Sequence, residues 1–311
     1  MNKTNLTKYY IILFVFFGTA LLAMSKILER WEDFRFVNEA VHSSIEIIGA
    51  FAGLNIAYIA FLNWKEKFTW YFIGPAIGFL VMSILNIFHA LASPGQGFVF
   101  LHSLAGLAGG IGFILIFIPT QILTKYTTRK NITLIILISI FIGIWGLLFQ
   151  QTLPEMLDNH NFTELAKRIN RFSGILFFMA GIRYARMYWI NKDSHLLWFL
   201  SIAVIFGFSN ITFEYSELWC THWWYWHFLS LFADLIVMIF ILKFYHEISA
   251  ETERSEERFR TVASANWVWE ADLSGHYTYC SEKVSDILGY SVEELMTRKC
   301  FDIVHKDDNE R

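Results

Sequence analysis

The sequence predicts an all-α polytopic membrane bundle of eight transmembrane helices, followed by a partial α+β module. Hydrophobic residues make up 55% of the 311-residue chain and charged residues only 17%, a balance outside the range of soluble proteins. Apolar runs near the length that spans the hydrocarbon core of a bilayer recur eight times before residue 246. Beyond that point the composition becomes polar, which predicts that the remaining residues lie in water.

The eight predicted spans follow from the apolar runs alone. They cover residues 9–28, 41–63, 69–91, 99–123, 132–150, 171–190, 196–214 and 223–245. With both termini inside, the cytoplasmic segments hold more Lys and Arg residues than the outer segments, as the positive-inside rule requires. We therefore expect a multi-pass protein with both termini in the cytoplasm.

Small residues in the fourth predicted span indicate close helix packing. The run AGLAGGIGF places Gly106 and Gly110 four residues apart, and Ala108 and Gly112 repeat that spacing. Small residues at this interval allow helix backbones to approach closely in lipid. The pattern favours packing within the bundle over a contact between two copies.

The chain is predicted to have three parts: a transmembrane sensor domain at 1–245, a connector helix at 246–260 and an incomplete soluble domain at 261–311. Around the connector, Phe244, Ile248, Glu251, Ser255 and Phe259 recur at spacings near 3.5 residues. This seam fits a short coiled coil in a homodimer, and it fits a solvated single helix equally well.

Two features of the composition limit the partners. The formal net charge of −3, with no basic stripe, argues against a nucleic-acid partner. Cys220, Cys280 and Cys300 are too few and too widely spaced for a disulfide framework or a cysteine metal motif.

Histidines of the predicted spans gather at the outer side. His42 begins the second span, and Glu46 lies one turn further along the same helix face. His89 ends the third span and His227 lies in the first turns of the eighth, so these four residues form the predicted core of a cofactor or metal site. His102 and His222 are further candidate ligands at the same level.

Three interpretations of this cluster stay open. The residues could be ordinary interfacial groups, since Trp219, Trp223, Trp224 and Trp226 resemble an aromatic belt. They could hold a transition metal or haem, because neutral imidazoles with a carboxylate suit zinc, copper or iron. They could also line a pocket for a small molecule, a quinone or a proton signal.

Asp234 is an acidic residue two turns beyond His227, near the middle of the eighth predicted span. Ionisable groups in membrane spans are costly and usually face the interior of the bundle. Asp234 is interpreted either as a polar packing contact or as a relay that links the histidine cluster to movement of the last helix.

Several short segments resemble the type-three membrane-associated sensor domain of the MASE family. They are HSSIE at 42–46, NIFHALASPGQG at 86–97, SNITFEY at 209–215 and WHFL at 226–229. The resemblance covers roughly residues 5–248. It implies a sensory input module of the bacterial inner membrane, of the kind that precedes PAS, histidine-kinase or diguanylate-cyclase output domains.

The residues after the connector predict a hairpin and two short helices. Trp267 and Trp269 alternate with polar residues as in a strand, a turn follows at 272–275, and HYTYC forms a second strand. Ser281 is predicted to cap a helix that Gly289 ends, and Ser291 with Glu294 forms a capping box for the next helix. This order of elements resembles the first part of a PAS domain.

These observations together predict a sensory input module. It detects a ligand, metal, haem or redox signal near the outer leaflet and passes it through the last helix to a cytoplasmic PAS or output region. The alternative is a haem- or metal-carrying redox membrane protein. A transporter is the least supported class, since the sequence shows no internal repeat. No catalytic motif occurs in the chain.

Overall fold

The computed structural model describes residue 31 and residues 34–63 and 70–303, and the predicted span at 9–28 lies outside them. The described chain is mostly helical. Its first eight helices are α1 (Glu39–Asn63), α2 (Ile73–Leu91), α3 (Gln96–Ile114), α4 (Thr120–Tyr126), α5 (Arg129–Leu148), α6 (Glu164–Asn191), α7 (His195–Thr212) and α8 (Thr221–Ala265).

Five stretches of the described helices are long and apolar enough to cross a membrane. They are Glu39–Phe61, Ile73–Leu91, Gln96–Phe117, Arg129–Leu148 and His195–Tyr215. The protein is therefore compatible with contact to a lipid bilayer. The predicted spans at 171–190 and 223–245 fall inside α6 and α8, which are helical but are not among these five.

The span predicted at 99–123 is wrong at its end. Helix α3 stops at Ile114, a single 3₁₀ turn follows at Leu115–Phe117, and α4 begins only at Thr120. Pro119 explains the break, because proline lacks a backbone N–H and disfavours helical geometry in the residue before it. Ile118 is accordingly extended, with ψ of 133°.

Glycines set the close approach of α3 to its neighbours. A Cβ at Gly112 would lie 2.6 Å from Gly78 N and 2.9 Å from Gly74 O on α2. A Cβ at Gly110 would lie 3.0 Å from Ser173 O on α6. The small residues of α3 therefore face other helices of the same bundle, as the sequence pattern favoured.

A small cap covers the end of the bundle where α3 and α8 begin. Strands β1 (Leu157–Asp158) and β2 (Asn161–Phe162) form an antiparallel hairpin. Gln96 is the first residue of α3. Its side-chain Oε1 accepts hydrogen bonds from Met156 N at 2.6 Å and Leu157 N at 3.0 Å, and its Nε2 donates to Leu157 O at 2.7 Å. Gln96 therefore fixes the hairpin to the start of α3.

The chain divides into two compact units, Met1–Ile241 and Leu242–Arg311. In the second unit, β3 (Trp269–Ala271) pairs antiparallel with β4 (Tyr277–Cys280), and α9 (Val284–Leu288) and α10 (Val292–Met296) follow. Tyr277, Cys280, Val284 and Leu295 form its buried core. The predicted hairpin is present, and its assignment to the PAS family stays a prediction.

The local signals in the second unit have different outcomes. The Ser291–Glu294 capping box is confirmed, and Gly289 ends α9 in the left-handed conformation, with φ of 78°. The prediction that Ser281 caps α9 is wrong, since α9 begins after Lys283 with no side-chain cap. The Ser281 hydroxyl instead donates to Asn266 O at 3.1 Å and accepts from Val268 N at 3.0 Å, so it connects the end of α8 to the hairpin.

Candidate metal centre

Four predicted site residues from three helices come together in the first unit. His42 and Glu46 lie on α1, His89 near the end of α2, and His227 near the start of α8. Each offers one ligand atom, and these four atoms all lie within 4.8 Å of one another. We call this group the imidazole cluster.

The imidazole cluster is buried inside the bundle. His42 and His89 are each 1% exposed, Glu46 is 6% exposed and His227 is 0% exposed. Groups at headgroup depth remain in contact with water, so this burial argues against the interpretation of the four residues as ordinary interfacial side chains. Buried polar groups without full hydrogen bonding are costly, and a bound ion is one way to satisfy them.

Two of the imidazoles are oriented by backbone carbonyls. His89 Nδ1 lies 2.8 Å from Phe98 O, and His227 Nδ1 lies 2.7 Å from Trp223 O. A carbonyl oxygen only accepts, so both Nδ1 atoms carry the proton and both Nε2 atoms present a lone pair. This is the arrangement in which histidine ligates a metal through Nε2 while its other nitrogen is held by a second group.

The ligand atoms are spaced for one small ion. His42 Nε2 lies 3.2 Å from His89 Nε2, and Glu46 Oε1 lies 3.5 Å from His227 Nε2 and 3.9 Å from His42 Nε2. Zinc bonds nitrogen at about 2.0–2.1 Å, which separates two tetrahedral ligands by about 3.3 Å. His227 Nε2 has no hydrogen-bond partner in the described residues, so its lone pair is free for a ligand.

Aromatic rings cover the imidazole cluster. Phe98, Trp219 and Trp223 have ring centroids 4.9, 6.0 and 5.1 Å from that of His42, and we call these three the aromatic cover. Trp219 is 4% exposed and its backbone is left-handed, with φ of 67°. A left-handed conformation is rare for a bulky residue and persists only where the surroundings impose it.

The other two candidate histidines are placed differently. The ring of His102 lies beside that of His89, with centroids 5.2 Å apart, but His102 is not in the group of four. Its Nδ1 is buried without a hydrogen-bond partner in the described residues. His222 is partly exposed and also lies outside the group.

Sequence reasoning missed the groups that orient the imidazoles. The carbonyls of Phe98 and Trp223 have no sequence signal, because every residue carries a carbonyl. The sequence indicates the aromatic cover only in part: Trp219 and Trp223 resemble members of an interfacial belt, and nothing in the sequence marks Phe98 as part of the cover.

Comparison of the chain with family models, with curated proteins and with solved structures gives no match. The resemblances to the MASE sensor domain and to PAS domains therefore stay predictions.

Proposed function

We propose that the chain is a membrane-embedded receptor for a transition-metal ion, held by His42, Glu46, His89 and His227. Three imidazoles with one carboxylate form a donor set that suits zinc, copper or iron. The observation that carries the proposal is that backbone carbonyls hold Nδ1 of His89 and His227, which leaves two Nε2 lone pairs on atoms that lie within 4.8 Å of each other and of the other two ligand atoms.

The geometry supports a single ion over a haem. A haem bound by two imidazoles needs room for its porphyrin between the two rings, whereas the His42 and His89 rings are in direct edge-to-face contact, with centroids 4.9 Å apart.

The ion is the signal in this proposal, and the chain is the sensory input module of a bacterial signal-transduction protein. Eight spans in the inner membrane, with both termini in the cytoplasm, place the imidazole cluster near the outer leaflet. Its ligand His227 lies on α8, the helix that continues to Ala265. Binding that draws His227 toward α1 and α2 moves this helix, and a homodimeric PAS or output region receives the change.

Metal binding by the purified chain tests the proposal. The full chain in detergent is treated with a chelator and titrated with Zn²⁺ in competition with a chelating dye, and bound metal is counted by elemental analysis. We expect one ion per chain. The variants His89→Gln and His227→Gln each remove one ligand, and we expect their affinity to fall at least 100-fold.

The control is His222→Gln, which changes a histidine on the same helix as His227 but outside the imidazole cluster. We expect this variant to bind like the wild type. Absence of stoichiometric binding of Zn²⁺ and Cu²⁺ by the wild type overturns the proposal, and so does unchanged affinity in both cluster variants.

The redox alternative uses the same four residues with copper. The general order of stability places Cu²⁺ above Zn²⁺ at a site of nitrogen and oxygen ligands. An absorption spectrum that changes reversibly between oxidised and reduced copper-loaded protein favours the redox protein. Protein purified without added metal that carries zinc and no copper favours the receptor.

A further inference from the structure

A second group of polar side chains surrounds a small cavity that adjoins the imidazole cluster at Glu46. The cavity lies between α1, α2, α3, α7 and α8 and has a volume of about 30 Å³. One water needs about 10–15 Å³ by the same measure, so the space holds one ion with one water, or on the order of two waters. Its oxygen-bearing side chains include Glu46, Ser83, Asn86, Asn210 and Asp234.

Three oxygen atoms at this cavity have no hydrogen-bond partner in the described residues. They are Ser83 Oγ, Asn86 Oδ1 and Asn210 Oδ1, and Ser83 and Asn210 are 1% and 8% exposed. Asn210 donates its amide to Phe206 O at 2.8 Å, which fixes its Oδ1 as the free acceptor. Buried oxygens without a hydrogen-bond partner are costly, so three at one cavity favour a ligand that binds them together.

Two glycines leave the space that cavity-lining oxygens occupy. A Cβ at Gly106 would lie 2.5 Å from Asn210 Oδ1, and a Cβ at Gly49 would lie against Asp234 Oδ2 and 3.1 Å from Asp234 Cγ. Alanine at either position would therefore displace an oxygen that lines the cavity. The glycines keep the oxygens close to the helix backbones, with the cavity beside them.

The chemistry of the lining selects a cation. Two carboxyl groups, Glu46 and Asp234, line the cavity, and Lys and Arg are absent from its described lining. Met82 and His102 also line the cavity, but oxygen-bearing side chains predominate there, and oxygen donors suit hard ions, in contrast to the nitrogen-rich imidazole cluster, which suits a transition metal. Since Glu46 also contacts His42 and His227, one carboxylate, Asp234, is left with the uncharged oxygens. One negative charge matches a monovalent ion.

We propose that this cavity is a Na⁺ site, formed by Asp234 with Ser83, Asn86 and Asn210 and bordered by Glu46. The site adjoins the transition-metal site at Glu46, but its other oxygen ligands belong to it alone, and Na⁺ binding does not require a bound transition metal. Na⁺ satisfies the three free oxygens together, and its single charge balances Asp234.

Equilibrium binding of radioactive ²²Na⁺ tests the site directly. The full chain in detergent is treated with a chelator, and the buffer is balanced with choline chloride so that the ionic strength stays constant. We expect saturable binding of one ion per chain. The thermal midpoint of the protein should rise with Na⁺ and stay constant with choline, because a ligand that binds only the folded state stabilises it.

Two variants and one control locate the ion. Asp234→Asn removes the charge, and we expect ²²Na⁺ binding to be lost. Ser83→Ala removes one oxygen without adding volume, so we expect the variant to fold. Loss of one oxygen–Na⁺ contact should lower the Na⁺ affinity about tenfold. Gly181→Ala, a helical glycine away from the cavity, should bind Na⁺ like the wild type.

The proposal is overturned if the wild type shows no saturable ²²Na⁺ binding, in which case the cavity holds only water. It is also overturned if Asp234→Asn and Ser83→Ala both bind with wild-type affinity. His89→Gln separates this result from the function proposed above. That variant should lose Zn²⁺ and keep Na⁺, so either site can fail without the other.

Discussion

Replacement of Gly112 by alanine tests the packing that positions α2 against α3. The new Cβ would lie 2.6 Å from Gly78 N and 2.9 Å from Gly74 O, whereas non-bonded carbon contacts are optimal near 3.5–4.0 Å. The helices must therefore separate locally by about 1 Å. Both neighbours are backbone atoms, so no side-chain rotation relieves the clash.

The expected cost follows from two opposing effects. Overpacking of a tight contact costs about 1–3 kcal/mol, and replacing a helical glycine by alanine returns up to about 1 kcal/mol. We therefore expect Gly112→Ala to destabilise the protein by about 1–2 kcal/mol. For a chain of this size, an unfolding entropy of about 2.1 cal/mol/K per residue means that this loss lowers the thermal midpoint by about 2–3 °C.

Gly181→Ala is the matched control, because it makes the same chemical change in α6. Its Cβ would meet its nearest neighbours at 3.7 Å, which is ordinary contact, so only the gain in helix propensity remains. The assay is thermal unfolding in detergent at one fixed scan rate, with circular dichroism as the readout. Equal midpoints for Gly112→Ala and Gly181→Ala would refute the argument.

Two further predictions concern the second unit, and both are read by hydrogen-exchange protection in the full chain. Ser291→Ala removes the hydroxyl that accepts from Glu294 N at 3.2 Å, and we expect a loss of about 1 kcal/mol of protection in α10; unchanged protection would contradict it. Asp272 accepts from the hydroxyl of Ser274 at 2.7 Å, and this bond, with the backbone N–H of His276, lowers the pKa of Asp272 below its ordinary value. A lowered pKa in the folded state stabilises the hairpin at pH values above the pKa of the unfolded state. This stabilisation is lost as pH falls through the pKa of the folded state. In the wild type, hydrogen-exchange protection in β3 and β4 should therefore fall at low pH, and we expect Asp272→Asn to abolish this fall. A variant that keeps the wild-type pH profile would show that another group causes the pH dependence.

Local sequence signals predicted the local structure well. His42 and Glu46 could be placed on one face because residues four apart are neighbours on a helix. The capping box at Ser291 and the end of α9 at Gly289 follow from chemistry within a few residues. Ser281 failed as a predicted cap because its hydroxyl bonds across the hairpin to Asn266 and Val268, and no local pattern shows that choice.

Which residues of different helices contact each other could not be predicted from the sequence. The meeting of His42 with His89 depends on how α1 and α2 are rotated about their axes, which many side chains decide together. The sequence could, however, show that His222 and His227 do not both belong to one site. They are five residues apart, or about 140° around a helix. They point in different directions, so both could not face one ion from α8.

The aromatic cover sets a timescale for anything that the imidazole cluster binds. Phe98, Trp219 and Trp223 close over His42, and Trp219 and Trp223 are 4% and 1% exposed. An ion that passes these large rings must displace them, and Trp219 has an unusual left-handed backbone conformation that restricts such movement. We therefore expect slow loading and slow release. A receptor with slow exchange does not follow brief fluctuations in its surroundings, and its state reflects the average supply of the ion over a long interval.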